Sequence, residues 1–280
     1  MLIAVCSLKG SPGVTTLATA LGARWPGQQN PIVVEVDPAG GDLMARFRLR
    51  DTPGLVSLAA ATRRRGGTDP NLLAQHAQLL PGGLRVVLGP VGAEQARAAL
   101  GVLALGPLSP LRRAADQSGS TVIADCGRVD PDSPALAIIR SADVMLLVAR
   151  PHDDELAHVA LKLQVAQQWS RRPCFVLIGD GYPTPEVSQT LRVPVMARVP
   201  RDIKGAAALC GQSISRRGLS KSALGRAAAK IALNVHVTSQ QPIHDGTHAP
   251  QLQLARPGEA TLSAVPQLPA PSLGNGVVAP

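Results

Sequence analysis

Apolar residues follow two patterns that alternate along this chain. In short runs they are consecutive and rich in Val, Ile and Leu, which is typical of strands buried on both faces of a sheet. Such runs predict strands at residues 2–7, 31–36, 84–88, 121–124, 143–149, 174–178 and 194–198. Between them, apolar residues at helical spacing predict helices at residues 14–24, 55–65, 93–105, 135–141, 155–170 and 220–235. The alternation predicts an α/β fold with a mostly parallel sheet that carries helices on both faces.

The alternating pattern ends near residue 235. Residues 236–280 contain seven prolines, three charged residues and no aromatic residue, and no apolar face repeats among them. A segment of this composition buries too little apolar surface to offset the conformational entropy that it would lose on folding. We therefore predict one domain over residues 1–235 and a proline-rich, disordered tail over residues 236–280.

The net charge and the cysteine content exclude few classes of function. The net charge of +9 suits nucleic acid or acidic membranes as a partner, but 23 of the 28 basic residues are arginines, and a bias in composition gives the same charge. The four cysteines are far apart and form no C-x-x-C pair, which predicts reduced thiols in a cytoplasmic protein. The apolar N-terminus lacks the basic start of a signal peptide, and the sequence shows neither a membrane-spanning run nor a basic amphipathic anchor.

The most informative segment is the glycine-containing loop that joins the first strand to the first helix, "SLKGSPGVTT" at residues 7–16. Backbone N–H groups and the dipole of the following helix converge there, so the loop predicts an anion site. Gly10 and Gly13 let the backbone approach phosphate oxygens closely, and Thr15 stands where a hydroxyl would bind Mg²⁺.

This loop and several later segments resemble the ParA/MinD ATPases, which have a deviant Walker A loop in a P-loop NTPase fold. "LKGSPGVTTLATALG" resembles the Walker A loop, "VVEVDPAGGDL" the first switch, and "TVIADCG" the Walker B strand. "SADVMLLVARP" and "VPVMARVPRD" resemble two further family segments, the second of which lies near the adenine. "LPGGLRVVLGPVGAEQA" is similar to the MinD-like proteins of pilus and secretion systems, the CpaE/TadZ branch. The resemblance covers residues 1–235.

The resemblance implies ATP and Mg²⁺ as cofactors, a dimer that forms on ATP binding, and a role for each matching residue. Lys9 would be the signature lysine, which reaches the phosphates of the partner subunit, and Asp37 would position the attacking water. Thr15 and Asp125 would hold the metal. The implied nucleotide contacts are Lys9, Gly10, Ser11, Pro12, Gly13, Val14, Thr15, Thr16, Pro200 and Asp202.

Val14 is the main departure from the family pattern, because it replaces the P-loop lysine that reaches the β- and γ-phosphates. Loss of such a cation typically costs roughly 10²–10³-fold in rate. Two interpretations follow: an ATP-dependent positioning switch with weak hydrolysis, or a non-catalytic scaffold that dimerises and recruits proteins. A small-molecule ligase of the related synthetase fold is less well supported, because those enzymes also use this lysine.

Two further segments carry candidate chemistry. "RPHDDELAH" at residues 150–158 contains two histidines and three carboxylates, but the acids suit a helix N-terminus better than a metal site. Eight basic residues and one acidic residue lie within residues 198–230, as in the DNA-binding surface of ParA-like proteins. The candidates for DNA contact are Arg216, Arg217, Lys221, Arg226 and Lys230. A pilus or secretion machine is the other partner class, and the sequence leaves the two open.

Overall fold

A computed structural model describes residues 1–27, 29–65, 69–104, 109–211 and 216–240 of the chain, and these residues build one eight-stranded sheet. The strands are β1 (Leu2–Ser7), β2 (Ile32–Glu35), β3 (Gln78–Leu79), β4 (Arg85–Val87), β5 (Val122–Arg128), β6 (Val144–Ala149), β7 (Pro173–Ile178) and β8 (Val195–Val199). Their order across the sheet is β3-β4-β2-β5-β1-β6-β7-β8. All neighbours are parallel except the β3–β4 pair at one edge.

Helices cover both faces of this sheet. They are α1 (Val14–Ala23), α2 (Leu43–Phe47), α3 (Leu55–Arg65), α4 (Leu72–Gln75), α5 (Ala93–Leu103), α6 (Pro110–Ala115), α7 (Leu136–Ser141), α8 (Asp153–Gln167), α9 (Thr184–Leu191), α10 (Ile203–Ala208), α11 (Arg216–Lys221) and α12 (Ala223–Gln240). None of the helices in the described ranges is both long enough and apolar enough to span a membrane.

The apolar runs of the strands are unbroken because both sides of each central strand are buried. In β1, Leu2, Ala4 and Cys6 belong to a core under α3 and α5–α8, whereas Ile3 and Val5 belong to a second core under α1 and α12. Every residue of β1 and β6 is buried. The predicted α/β fold of the P-loop NTPase type, with a mostly parallel sheet and helices on both faces, is confirmed.

The last helix is longer than the apolar pattern indicates. We expected a disordered tail from residue 236, but α12 continues to Gln240, so residues 236–240 are helical. The ring of His236 meets the ring of Trp25 edge-on, with 6.2 Å between the ring centroids, and this contact gives the additional turn a surface to pack on. The rest of the proposed tail, residues 241–280, lies outside the described residues.

The strand order brings the carboxyl ends of β1, β2 and β5 together. Asp125 of β5 is in register with Val5 of β1 on one side and with Glu35 of β2 on the other. The register between β1 and β5 shifts before Ser7, which pairs with Arg128. In open α/β sheets, ligands bind at the carboxyl ends of the strands, and the glycine loop leaves β1 at this edge.

Candidate functional site

The glycine loop, residues 8–13, runs from the end of β1 to the start of α1. Gly10 and Gly13 adopt left-handed conformations, with φ of 66° and 102°. Gly13 is the N-cap of α1, and no side chain caps this helix end by a hydrogen bond. The first N–H groups of α1 therefore lack a side-chain partner at the loop, as an anion site requires.

A buried carboxylate supports the loop from behind. If Gly10 had a Cβ atom, that atom would lie 2.6 Å from Glu155 Oε1, so a side chain at this position would clash. Glu155 is 1 % exposed and accepts hydrogen bonds from the backbone N of Arg150 at 2.7 Å and from its Nε at 2.6 Å. Glu155 thereby holds Arg150 beside the loop.

Asp125 lies in the middle of β5, level with Glu35, the last residue of β2, and is 1 % exposed. Burial raises the pKa of Asp125 to about 7, a hydrogen bond from the Thr15 hydroxyl opposes the rise, and the nearby Glu35 and Asp37 carboxylates add to it. Its other partner is the backbone N of Gly127, 3.2 Å from Oδ1. The structure thus brings the two predicted metal ligands, Thr15 and Asp125, into contact.

Asp37 lies beyond the end of β2, beside the last residues of β5. Its Oδ1 accepts a hydrogen bond from the backbone N of Ala39 at 2.7 Å. Burial raises the pKa of Asp37, and the positive charge of Arg128 lowers it. A Cβ atom on Gly127 would lie 1.8 Å from Asp37 Oδ2, so the absence of a side chain there makes the position of Asp37 possible.

The loop and Asp37 face a cavity of about 430 Å³, a volume typical of small-ligand sites, and Asp125 lies behind the lining residue Thr15. Gly10, Ser11, Gly13, Val14, Thr15 and Thr16 line one wall. Ser7 lines it as well, is 1 % exposed, and its hydroxyl oxygen has no hydrogen-bond partner in the described structure. A buried hydroxyl without a partner is unusual, and a ligand in the cavity would supply one.

The donor set of this cavity fits a magnesium nucleotide. Mg²⁺ usually takes one or two protein oxygens, completes its octahedron with water and phosphate oxygens, and does not require a cage of protein ligands. Thr15 at the cavity wall and the neighbouring Asp125 would supply the two oxygens. Within the described residues, no three His, Cys, Asp or Glu side chains form a group that could hold a metal by themselves, and this includes the acids of residues 150–158.

Comparison with known proteins gives matches in structure but not in sequence. No protein-family model matches the chain, and no curated protein sequence does. A ParA family ATPase from Chlorobium tepidum TLS matches with a TM-score of 0.66 and 17 % identity over 83 % of this chain and 98 % of that one. The fold is that of the ParA and MinD ATPases. The septum site-determining protein MinD from Pyrococcus horikoshii OT3, solved with Mg-ADP, matches with a TM-score of 0.62 and 18 % identity over 85 % and 97 %.

A third match shows that this fold also carries synthesis chemistry. Cobyrinic acid a,c-diamide synthase from Mycobacterium smegmatis, solved with an ATP analogue and magnesium, has a TM-score of 0.54 and 18 % identity over 86 % of this chain and 96 % of that one. At such identities the likeness establishes the ParA/MinD fold alone, so the residues of the site must carry the functional argument.

The two lysine-related positions of the ParA/MinD loop differ in their surroundings. Val14, which the family resemblance aligns with the P-loop lysine, is 6 % exposed and packs with Leu17 and Leu21 in the core under α1. Lys9 is half-buried, does not line the 430 Å³ cavity, and forms no ion pair with any carboxylate in the described part of the chain.

Pro200 and Asp202 line a second, more apolar cavity of about 210 Å³ that shares Gly13 and Thr16 with the first. The Asp202 carboxylate caps two helices, because it accepts hydrogen bonds from the backbone N of Gly205 at 2.8 Å and of Leu224 at 2.9 Å. These bonds hold the pKa of Asp202 below its usual value. The structure therefore places both predicted residues beside the loop and also gives Asp202 a structural task.

The predicted DNA-contacting residues are distributed over α11 and α12. Lys221, Arg226 and Lys230 are exposed, and Arg226 donates to the backbone carbonyl of Lys221. The side chains of Arg216 and Arg217 lie outside the described residues. The nearby Arg198 is not part of a basic surface, because its guanidinium bonds three carbonyls of residues 179–182.

Sequence reasoning missed two arginines that line the 430 Å³ cavity, Arg46 of α2 and Arg97 of α5, and the cavity also contains Arg128 at the end of β5. These arginines come from segments that are far apart in the chain, so no sequence pattern indicates that they line one cavity. Arg128 directly follows the segment "TVIADCG", which puts it near the candidate site in the sequence, and the structure places it at the cavity.

Proposed function

We propose that this chain is a nucleotide-dependent switch that binds ATP and Mg²⁺ at residues 9–16, closes as a homodimer and engages a partner. The observation that carries the proposal is the Thr15–Asp125 contact beneath a loop whose two glycines are left-handed at the N-terminus of α1. The resemblance to MinD and ParA, of which MinD has been solved with Mg-ADP, supports the same class.

Different residues of the cavity would bind different parts of the magnesium nucleotide. The loop N–H groups would receive phosphate oxygens, and the Thr15 hydroxyl and the Asp125 carboxylate would hold Mg²⁺. When bound, Mg²⁺ would offset part of the negative charge of the phosphates. Pro200, Pro12 and Thr16 line the adjoining apolar cavity, which suits a base, because the two cavities share the rim formed by Gly13 and Thr16.

Hydrolysis is expected to be slow. Asp37 has the support that a water-positioning carboxylate needs, since the Ala39 N–H holds one oxygen and Gly127 leaves room for the other. However, Val14 provides no charge for the transferring phosphoryl group, and such electrostatic contacts are usually worth orders of magnitude in rate. The switch would therefore remain in its nucleotide-bound form for longer than a faster ATPase would.

The first test is the solution mass of the purified protein, measured by light scattering with Mg-ATP, with Mg-ADP and without nucleotide. A dimer that forms only with Mg-ATP supports the switch. An identical mass in all three samples, together with the absence of nucleotide from the eluted peak, would favour the alternative, a scaffold that recruits partners without a ligand. The buried, apolar Val14 is the observation that favours this alternative.

Lys9 tests the dimer arrangement. Because Lys9 lies outside its own cavity and has no carboxylate partner among the described residues, we expect it to serve the phosphates of the second subunit. Lys9→Ala should then abolish the ATP-dependent dimer while it leaves monomeric nucleotide binding within about threefold. The matched control is Lys162→Ala on α8, which should dimerise as the wild type does. An unchanged dimer fraction for Lys9→Ala would remove this assignment.

Two classes of partner fit the proposed switch, DNA and a pilus or secretion machine. Arg226 and Lys230 are exposed one turn apart on α12, where they would contact DNA phosphates if the protein acts in partitioning. Duplex retardation that weakens steeply between about 50 and 200 mM salt would support DNA. Salt-independent or absent retardation would leave a pilus or secretion machine as the partner class.

A further inference from the structure

The cavity presents a charge problem for any polyphosphate. Three aspartates line it, namely Asp37, Asp42 and Asp130, and the buried Asp125 and Glu35 lie behind it. A polyphosphate adds several more negative charges, and the position that usually supplies a lysine holds Val14. Loop N–H groups and one Mg²⁺ leave part of this charge uncompensated, so further cations are needed.

Arginines are the cations that the cavity contains. Arg46 comes from α2, Arg97 from α5 and Arg128 from the end of β5, and all three line the same cavity as Thr15 and Gly13. Arg128 acts on Asp37, whose pKa it lowers, so part of its charge is used within the protein. Arg97 is exposed on α5 and has no carboxylate partner within the described residues.

Arg46 is the most specific of the three. Its Nη2 is fixed by Asp42 Oδ2 at 2.6 Å, one helical turn away, and its side chain is 26 % exposed. Its Nη1 is buried and has no hydrogen-bond partner in the described structure. One edge of the guanidinium is therefore oriented by the protein, while a buried donor remains that an anion in the cavity would satisfy.

We infer that Arg46, assisted by Arg97, supplies the contacts to the nucleotide phosphates that the P-loop lysine makes in other P-loop proteins. The inference rests on the proposed function and specifies how its site tolerates Val14. Arginine suits this task because its planar fork donates two parallel hydrogen bonds to phosphate, which a single ammonium group does not. The compensating charge thus comes from α2 and α5, outside the glycine loop.

The test is the dissociation constant of a fluorescent ATP analogue with Mg²⁺, measured for the wild type and for Arg46→Ala. One lost charge-assisted contact should weaken binding by about 10- to 100-fold. Arg97→Ala should weaken it by about three- to tenfold, because this side chain is more exposed. Arg140→Ala, an exposed arginine on α7 remote from the cavity lining, should bind as the wild type does. Thermal unfolding of each variant without ligand shows that the fold is retained.

A rescue experiment identifies the role of Arg46 as a phosphate contact. Val14→Lys in the Arg46→Ala background should restore at least half of the lost binding free energy, since the lysine would carry the same charge into the same cavity. Rescue together with the single-variant loss supports the inference. If the wild type and Arg46→Ala bind equally well, Arg46 is not a phosphate contact, although the proposed function stands. If the wild type itself binds no nucleotide, the proposed function fails first.

Discussion

The neighbouring strands β2 and β5 each carry a buried acid, and the backbone donates more hydrogen bonds to one acid than to the other. Glu35 and Asp125 are in register on neighbouring strands and are each 1 % exposed. Glu35 accepts hydrogen bonds from three backbone N–H groups: those of Asp42 at 2.7 Å, Leu43 at 2.9 Å and Gly89 at 3.0 Å. Asp125 has the Thr15 hydroxyl and the Gly127 N–H at 3.2 Å.

We interpret Glu35 as a structural carboxylate and Asp125 as a candidate ligand of a cation. The bonds to Glu35 join the start of α2 and the segment after β4 to the end of β2, so the acid holds together chain segments that are up to 54 residues apart. Burial raises the pKa of both acids, but Asp125 accepts fewer backbone hydrogen bonds than Glu35, and its pKa rises to about 7. A buried charge that the protein does not compensate is expected where a cation is to bind.

The largest effect is expected for Glu35→Ala. Removal of this carboxylate leaves three N–H groups without an acceptor, two of them at the entrance of α2, and should lower the free energy of unfolding by about 3–5 kcal/mol. Chemical denaturation measures the loss. The control is Glu94→Ala, an exposed acid in the first turn of α5, which should change stability by less than about 1 kcal/mol. Equal effects for the two variants would show that Glu35 is not the anchor of this end of the sheet.

The opposite sign is expected for Asp125→Asn. The amide has a similar shape but carries no charge, so without ligand it should raise the free energy of unfolding at pH 8 by roughly 2–4 kcal/mol. The same change should reduce the Mg²⁺-dependent part of nucleotide binding. A variant that is less stable than the wild type at pH 8 would mean that Asp125 is well compensated, and the contrast with Glu35 would disappear.

The pH dependence follows from the direction of the shift. The folded-state pKa of Asp125, about 7, is above its ordinary value of 3.8, so the folded protein binds this proton more tightly than the unfolded chain does. The stability associated with the protonated acid is fully present below about pH 4 and is lost as the pH rises to 7. The advantage of Asp125→Asn should therefore be small at pH 4 and largest above pH 7, which unfolding curves across this range would measure.

The features of the site that are formed by residues close together in the sequence could be predicted. The loop follows β1 directly, and Asp125 follows a buried apolar run, so both were predictable, as were the α/β order and most of the long elements. The anchoring role of Glu35 could not be predicted, because its partner Gly89 belongs to a distant segment. Arg46 was missed because α2 has only five residues, too few for a periodic pattern. The edge strand β3, two residues long, was missed for the same reason.

The smallest and most specific effect is expected for Gly127 of β5, which lies against Asp37, just beyond the end of β2. Gly127 has a φ of 58°, and a Cβ atom there would lie 1.8 Å from Asp37 Oδ2. Gly127→Ala should therefore combine the cost of a left-handed alanine with a displaced Asp37, for a total loss of about 2 kcal/mol in the free energy of unfolding. Denaturation measures this loss together with that of the control described next.

Gly119 provides the control, because its φ is 70° and a Cβ atom there would meet nothing within 4 Å. Gly119→Ala should cost about 1 kcal/mol from backbone conformation alone. The difference between the two variants measures the contact with Asp37, and it should vanish in an Asp37→Ala background, where the carboxylate that clashes is absent. If the difference persists there, the end of β5 is rigid by itself, and Asp37 is positioned by residues 38–39 rather than by the absence of a side chain at Gly127.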